Sequence, residues 1–534
     1  MHTPNPAKSP ESGMTESGIG AWLDDRLNLS ALYLKYGRKV FPVHSSYFLG
    51  EMALFSFIIL VFTGAYLGFV YVPSNADVTV NGQTVPEAYA SVQLIESIPV
   101  ANLFRNVHHW AAHLMIASVL LHLMHIFFTG SYRKPREINW IIGTILLGLT
   151  LMAGFVGYSL PYDAYAVTAT GIGYSIARSI PWIGGFVSQL FFGGAFPTLG
   201  SLARLYTIHV FILPAVITAV VGVHLLVIVK QKHTQPGYAR KMAEPGKVLG
   251  VPLLPYQALL AGQLFLLMFG VLFVLSSLVT PHPVEAFGPP QAATPEVKPD
   301  WYLMWVYGFL KIMPAGASFR FLGATFSPDF LGGLLFPALV FGILTLAPWM
   351  DRTNRRAIRR FEYLEPVNQS PIRTGAGVAM LTLIGTMFIA AYYDQIGMSL
   401  GVIWSIVIVL PILAGIFAGL VAHTFRGQER FDPHEQLPRV SFAPEAPSPS
   451  EQLEAIKSAP TQLQPMRDDV VRTLHELGEL APYVRYLQGD EEIDDLLDTI
   501  EDLRTDLGDA DGRLRNKVHT RSADGDGEQE PESS

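Results

Sequence analysis

Two stretches decide the fold: RNVHHWAAHLMIASVLLHLMHIFFTGSYR at 105–133 and RLYTIHVFILPAVITAVVGVH at 204–224. Both are long and apolar enough to cross a hydrocarbon layer, which takes roughly 20 residues. Both also carry histidine inside the apolar run. The first holds His108, His109, His113, His122 and His125, and the second His209 and His224. Ionisable groups inside a membrane are costly and mark function by default. His108 and His122 are 14 residues apart, within about 40° on one helix face and ~21 Å apart along the axis. His209 and His224 are 15 apart, about 60° off and ~22 Å apart. A lone histidine would be read as a hydrogen-bonding group between helices. Matched pairs on two helices argue for something held between them.

Working outward, six further stretches are apolar over a bilayer's thickness. The expected fold is an all-α integral membrane protein of eight transmembrane helices, α1–α8. The expected spans are 47–72, 104–128, 138–158, 206–229, 257–280, 328–350, 375–393 and 400–424. Residues 20–38 read as an amphipathic helix on the membrane surface. The Gly-rich stretch 159–204 reads as short helices in an outer loop. Residues 1–425 hold 25 Lys+Arg and 19 Asp+Glu, whereas 426–534 hold 12 and 26. A basic apolar body therefore precedes a soluble acidic tail, in which 450–507 reads as short helices. That tail is either a solvated segment or a docking surface. The chain is 15% charged, against about 25% in soluble proteins, and no nucleic-acid partner is expected.

Arg133, Lys134 and Arg136 lie between α2 and α3, five Lys/Arg between α4 and α5, and six Arg between α6 and α7. The α1–α2 and α7–α8 connections carry no Lys or Arg. Basic loops stay in the cytoplasm, so both termini are expected there, in a multi-pass membrane protein. The polar N-terminus lacks an apolar core before a cleavage site, so no signal peptide is expected.

With this orientation α2 and α4 both run from outside to inside. His108 and His209 are then level near the outer surface, and His122 and His224 near the inner one. Two facing pairs of imidazoles in a bundle core are the ligand sets of two haems. The chain has no cysteine, so covalent c-type attachment is excluded and the haems are expected to be non-covalent, b-type. Gly50 and Gly64 in α1, and Gly143 and Gly157 in α3, repeat the 14-residue interval. Glycine lets a flat macrocycle approach a backbone; the plainer reading is small-residue helix packing. His109, His113 and His125 point off the shared face and read as packing or hydrogen-bonding residues.

Together these stretches resemble cytochrome b of bc-type complexes. The signature in α2 runs from Arg105 through His108 and His122 to Gly130–Arg133. A second match is PDWY, Pro299–Tyr302, like the family's outer quinol-site motif. The resemblance covers about 40–425. The extra residue between the α4 histidines is like the b6 and Gram-positive branches. One unsplit chain with an acidic tail looks like the actinobacterial menaquinol:cytochrome c reductase subunit. The stretch after Tyr158, SLPYDAYAVTA, departs from the Gly-Gln-Met-Ser run of mitochondrial relatives. The family's inner-site histidine is Val229 here.

The resemblance implies a domain plan: 1–46 with the surface helix, 47–230 the di-haem four-helix bundle α1–α4, 231–425 a C-terminal membrane domain with the PDWY loop, and 426–534 the cytoplasmic tail. It implies quinol oxidation beside Asp300, Tyr158 and Tyr307, Arg105 against a haem propionate or as a plain charge anchor, and quinone reduction on the inner side. His44, Lys230 and Gln257 are candidates for that inner site. It also implies a Rieske iron–sulfur subunit, a di-haem cytochrome c, association with an aa3-type oxidase, and a homodimeric complex with menaquinol as substrate. Two rivals are the di-haem anchor of a formate dehydrogenase or hydrogenase, which has fewer helices and no PDWY, and a transporter using histidines as proton relays.

Overall fold

The computed structural model describes residues 19–42, 44–80, 82–239, 248–290, 298–356 and 361–426. The acidic tail and its expected short helices lie outside the described residues. Among the described residues eight helices are long and apolar enough to cross a membrane: α1 Ser45–Val70, α2 Pro99–Phe128, α3 Glu137–Tyr158, α4 Ser201–Gln231, α5 Leu253–Leu278, α6 Pro328–Arg356, α7 Pro371–Ala390 and α8 Leu400–Thr424. Several begin ahead of the apolar run because local chemistry starts them there. Pro99 and Pro371 occupy the first turn, where a missing N–H costs nothing. Ser399 caps α8 by accepting from the Val402 N–H.

Helix α1 packs along α2, α2 against α3, and α3 against α4, whose early turns return to α1. That closes a four-helix bundle. Helix α5 leans on α1 and α2, α6 on α3, and α7 pairs with α8. Large apolar side chains point outward along the spans, Phe62, Phe69, Leu226 and Phe417 among them. In water such a surface would drive association; against lipid it is the solvated face.

The loops gather at two ends. At one, Asn75 donates to the Thr198 carbonyl and Ala164 N–H to that of Gly288, so the α1–α2, α3–α4 and α5–α6 connections meet. Lys311 ties the α7–α8 connection there through Asp394 at 2.6 Å. At the other end, the Phe361 N–H donates to the Lys134 carbonyl and Gln235 N–H to that of Glu362. Arg133 and Arg373 both reach Glu365 there, each at 2.9 Å. This grouping matches the charge pattern of the loops.

The stretch expected as an amphipathic surface helix is helical, as Ile19–Leu27, Leu29–Leu32 and Tyr33–Gly37, and it exposes Trp22, Leu27, Leu32 and Tyr36. The α3–α4 loop holds helices Ala164–Arg178 and Gly184–Phe192, as expected. Three two-stranded ribbons were not expected: Val40–Pro42 with Gly250–Pro252, Asp77–Val80 with Gln83–Pro86, and Phe319–Phe321 with Ala324–Phe326. They are loop clasps in a helical protein. Helix Met304–Ile312, just after PDWY, is pressed into α7. A Cβ on Gly308 would sit 1.9 Å from the Met387 carbonyl oxygen, so only glycine permits this docking, and the docking holds the preceding loop in place.

Candidate functional site

The bundle brings the spaced histidines together. His108 of α2 and His209 of α4 have ring centres 6.2 Å apart and planes at 71°. The extra residue in α4 has a local cause: Ile208–Ile212 is a π-turn. Such a turn takes in one residue more than an α-helical turn, which brings the 15-residue interval back towards the 14 of α2. Further along, His122 stands against Gly50 and His224 against Gly143.

Each glycine of the two spaced pairs stands behind one of these rings. A Cβ on Gly157 would lie 2.7 Å from His209 Cε1, on Gly64 3.0 Å from His108 Cε1, on Gly50 3.3 Å from His122 Cε1, and on Gly143 3.8 Å from His224 Cε1. The room expected for a macrocycle is used in the first place by the imidazoles. Two imidazoles on opposite sides of a metal, with bonds of about 2 Å and about 1 Å more to each ring centre, put the centres about 6 Å apart. The outer pair matches this. His108 Nδ1 pairs with Thr63 Oγ1 at 2.9 Å, leaving Nε2 for a ligand. Among the described residues the buried Nδ1 atoms of His122 and His224 have no hydrogen-bond partner, which purely structural histidines seldom leave, and His209 is held by the Ala153 backbone. The residues present fit a haem that His108 and His209 would hold.

A cavity of ≈ 580 Å³ runs from Gly64, Gly157, His108 and His209 to a polar wall containing Asp300, Tyr302, Tyr158 and Tyr165. That size suits a small-molecule ligand. Asp300 precedes the turn Trp301–Leu303 but makes no side-chain cap; its Oδ2 accepts from the Tyr302 hydroxyl at 3.2 Å. Burial, then Asp300, pushes the Tyr302 and Tyr165 phenols above their ordinary range. Trp301 Nε1 donates to His113 Nδ1 at 3.0 Å, pinning the loop to α2. Pro299, Trp301 and Tyr307 are not among the lining residues. Arg105 lines the cavity, but its guanidinium is already matched: Nη1 is 2.9 Å from Glu96 Oε1, and Nη2 donates to the His282 carbonyl at 2.7 Å.

Tyr165, His282, Asp163 and Glu96 were missed in the sequence. They come from the connections between spans, Glu96 and Tyr165 on short helices there, and only Asp163, placed to cap a helix, left a local signal. At the other end, Gln257 Nε2 donates to Glu51 Oε1 at 2.8 Å. His44 sits beside Tyr47 and Tyr238, whereas Lys230 is exposed. Tyr47 donates to the Thr234 carbonyl and its ring lies near His125 and His233. Burial, aided by Arg136 and Lys39, pushes the His233 imidazole down to about 4.

The fold and site are those of a multi-pass membrane protein built around paired buried imidazoles. Comparison with known proteins narrows this. Residues 113–289 match the family model "Cytochrome b(N-terminal)/b6/petB", and 289–407 match "Cytochrome b(C-terminal)/b6/petD". The chain is 36% identical over 403 residues to the cytochrome bc1 complex cytochrome b subunit of Streptomyces coelicolor, covering 73% of each. It is 35% identical over 410 residues to that of Mycobacterium leprae, covering 74% of this chain and 73% of the relative. A solved structure titled "Hyperthermophilic respiratory Complex III" shares the fold, with a TM-score of 0.58 at 23% identity, over 76% of this chain and 100% of that one. The chain belongs to the cytochrome b family.

Proposed function

We propose that the chain is the cytochrome b subunit of a quinol:cytochrome c oxidoreductase, carrying two b-type haems. The observation that carries this reading is the pairing of His108 with His209 at 6.2 Å inside a bundle of this family. His108 and His209 hold the haem nearer the PDWY loop, and His122 and His224 the other. Gly50, Gly64, Gly143 and Gly157 leave room for the four rings. When bound, the haems supply one-electron transfer along the membrane normal.

The chain's own residues do the rest. The Asp300 end of the outer cavity takes the quinol and excludes bulk water behind Tyr158 and Tyr302, with Pro299 and Trp301 shaping the loop that carries Asp300. Asp300, with no cap to make, accepts a proton as the quinol is oxidised. Tyr307 supports the loop from its helix. Arg105 ties the site's loops together through Glu96 and the His282 carbonyl. At the opposite end His44 and Gln257 face the inner quinone, with Lys230 at the rim. Proton release at one end and uptake at the other add to the proton motive force. By resemblance the quinol is menaquinol, the partners are a Rieske subunit, a di-haem cytochrome c and an aa3-type oxidase, and the complex is a homodimer. The basic loops and both termini are cytoplasmic, and the domain plan follows the boundaries 1–46, 47–230, 231–425 and 426–534.

The test is a reduced-minus-oxidised spectrum of the purified complex, with haem extracted by acid acetone and counted per chain. Two extractable b haems per chain and quinol-dependent cytochrome c reduction are expected. A chain without haem, as a transporter would be, would end this reading.

A further inference from the structure

We propose that His282 and Asp163 form a second proton-accepting dyad in the wall of the outer cavity, with His282 as the base and Asp163 as its positioning residue. The proposal rests on the reading of that cavity as the quinol site. His282 Nε2 lies 2.7 Å from Asp163 Oδ2, and the Asp163 side chain is 0% exposed. Its other oxygen, Oδ1, accepts from the Ala166 N–H at 2.7 Å. The carboxylate is therefore held by a helix start and cannot swing away from the imidazole. With Nε2–H given to Asp163, Nδ1 is the acceptor nitrogen of the neutral ring.

The ring is clamped as well as bonded. Phe287 stacks on it at 4.1 Å and 7°, and Tyr165 lies 5.1 Å away. His109 is parallel to it at 6.1 Å. His282 itself lines the cavity, with Asp300 on the same wall. A carboxylate that fixes the tautomer of an imidazole and stabilises the imidazolium makes it a usable base. The groups facing the ring from other elements are Asp163 and Tyr165 from the α3–α4 loop, Arg105 and His109 from α2, Glu96 from helix Glu87–Ser97, and Asp300. Glu285 stands on its own turn.

Oxidising one quinol to quinone breaks two O–H bonds and releases two electrons and two protons. The electrons pass to the acceptors of the quinol:cytochrome c reaction, so no further oxidant is needed. One proton goes to Asp300 and the other to Nδ1 of His282, which becomes an imidazolium paired with Asp163. The loop that carries His282 is itself tied down: Arg105 bridges the His282 carbonyl and Glu96, and the Glu96 carboxylate also accepts from the Val284 N–H at 3.0 Å.

The plainer role is structural: Asp163 caps a helix and straps the α5–α6 loop to the α3–α4 loop. Asparagine separates the two. Asp163→Asn keeps the cap with its one oxygen and turns its NH2 to donate to His282 Nε2, so the strap survives while both the charge that stabilises an imidazolium and the acceptor that holds the proton on Nε2 are removed. The assay is quinol:cytochrome c turnover of the intact complex from pH 5 to 9, with both b haems checked by spectrum. His282→Gln should lower turnover about tenfold or more with haem content unchanged. Asp163→Asn should move the acid limb of the profile to lower pH by about one unit and lower its plateau. Wild-type turnover of His282→Gln at every pH would overturn the proposal. So would an Asp163→Asn profile of unchanged shape with only the yield of complex reduced. Asp300→Asn is run alongside. If it slows turnover while the dyad variants do not, only the dyad fails; if all three are silent, the cavity is not the quinol site.

Discussion

Replacing Gly157 with alanine probes the outer pair most directly, because the backbone there almost touches the His209 ring. A new Cβ would stand 2.7 Å from Cε1, about 1 Å inside an ordinary carbon–carbon contact. The ring sits in the bundle core, so it can yield only by rotating off its axis or by parting α3 from α4. Overpacking of this kind costs typically about 1–3 kcal/mol, which is on the order of 5–150-fold in haem affinity at 1.4 kcal/mol per tenfold. The four glycines then form a graded series. Gly64→Ala, at 3.0 Å, should lose somewhat less, and Gly50→Ala, at 3.3 Å, less again. Gly143→Ala, at 3.8 Å, meets only normal contact and should be neutral, or gain up to about 1 kcal/mol of helix propensity. The assay is haem per chain and the b-type difference spectrum of each purified variant, with haem loss followed against an apo-globin acceptor. Equal loss from Gly143→Ala and Gly157→Ala would refute the assignment of these glycines to the ring positions, as would four unaffected variants.

Three other outcomes follow from the same geometry. His122→Ala or His224→Ala should drop haem content from two towards one per chain while the other b signal persists, and His109→Ala and His125→Ala should keep both; the extractable haem count decides. Asp300→Asn should slow quinol oxidation by less than about 10²-fold with both haems present, since water and a second base share the proton; wild-type turnover across pH would remove Asp300 from the chemistry. The chain has no cysteine, so single substitutions report topology cleanly: Asp77→Cys should react with an impermeant maleimide on intact cells, and Arg352→Cys only after permeabilisation, and the reverse pattern would invert the assigned orientation.

Helix existence, span number and the two-ended grouping of loops were legible in the chain. Apolar runs of bilayer length and the placement of Lys and Arg are local signals, and lipid leaves the backbone little choice but helix. The histidine and glycine intervals were legible for a related reason: helical geometry converts a spacing into a face and a depth. The same rule left a blemish at His209 and His224, where a 15-residue interval runs off-face. The π-turn at Ile208–Ile212 removes it, and no residue type announced that turn. The glycines were recognised by interval, but what each one faces could be known only once α1 lay on α2 and α3 on α4.

Asp300, Tyr158 and Tyr302 in the polar wall of the cavity were readable from the motif, but the cluster around His282 was decided by the tertiary structure alone. Asp163, Tyr165, Glu96 and His282 come from three loops that meet only because the bundle brings their ends together, and Glu96 and His282 are 186 positions apart in the chain. Arg105 looked like a free cation at a helix end, yet it spends its charge on Glu96. Spacing along one helix is a short-range property that a sequence states openly. Contacts between loops depend on how helices pack, and that packing is a collective result of many apolar side chains, none of which encodes it singly.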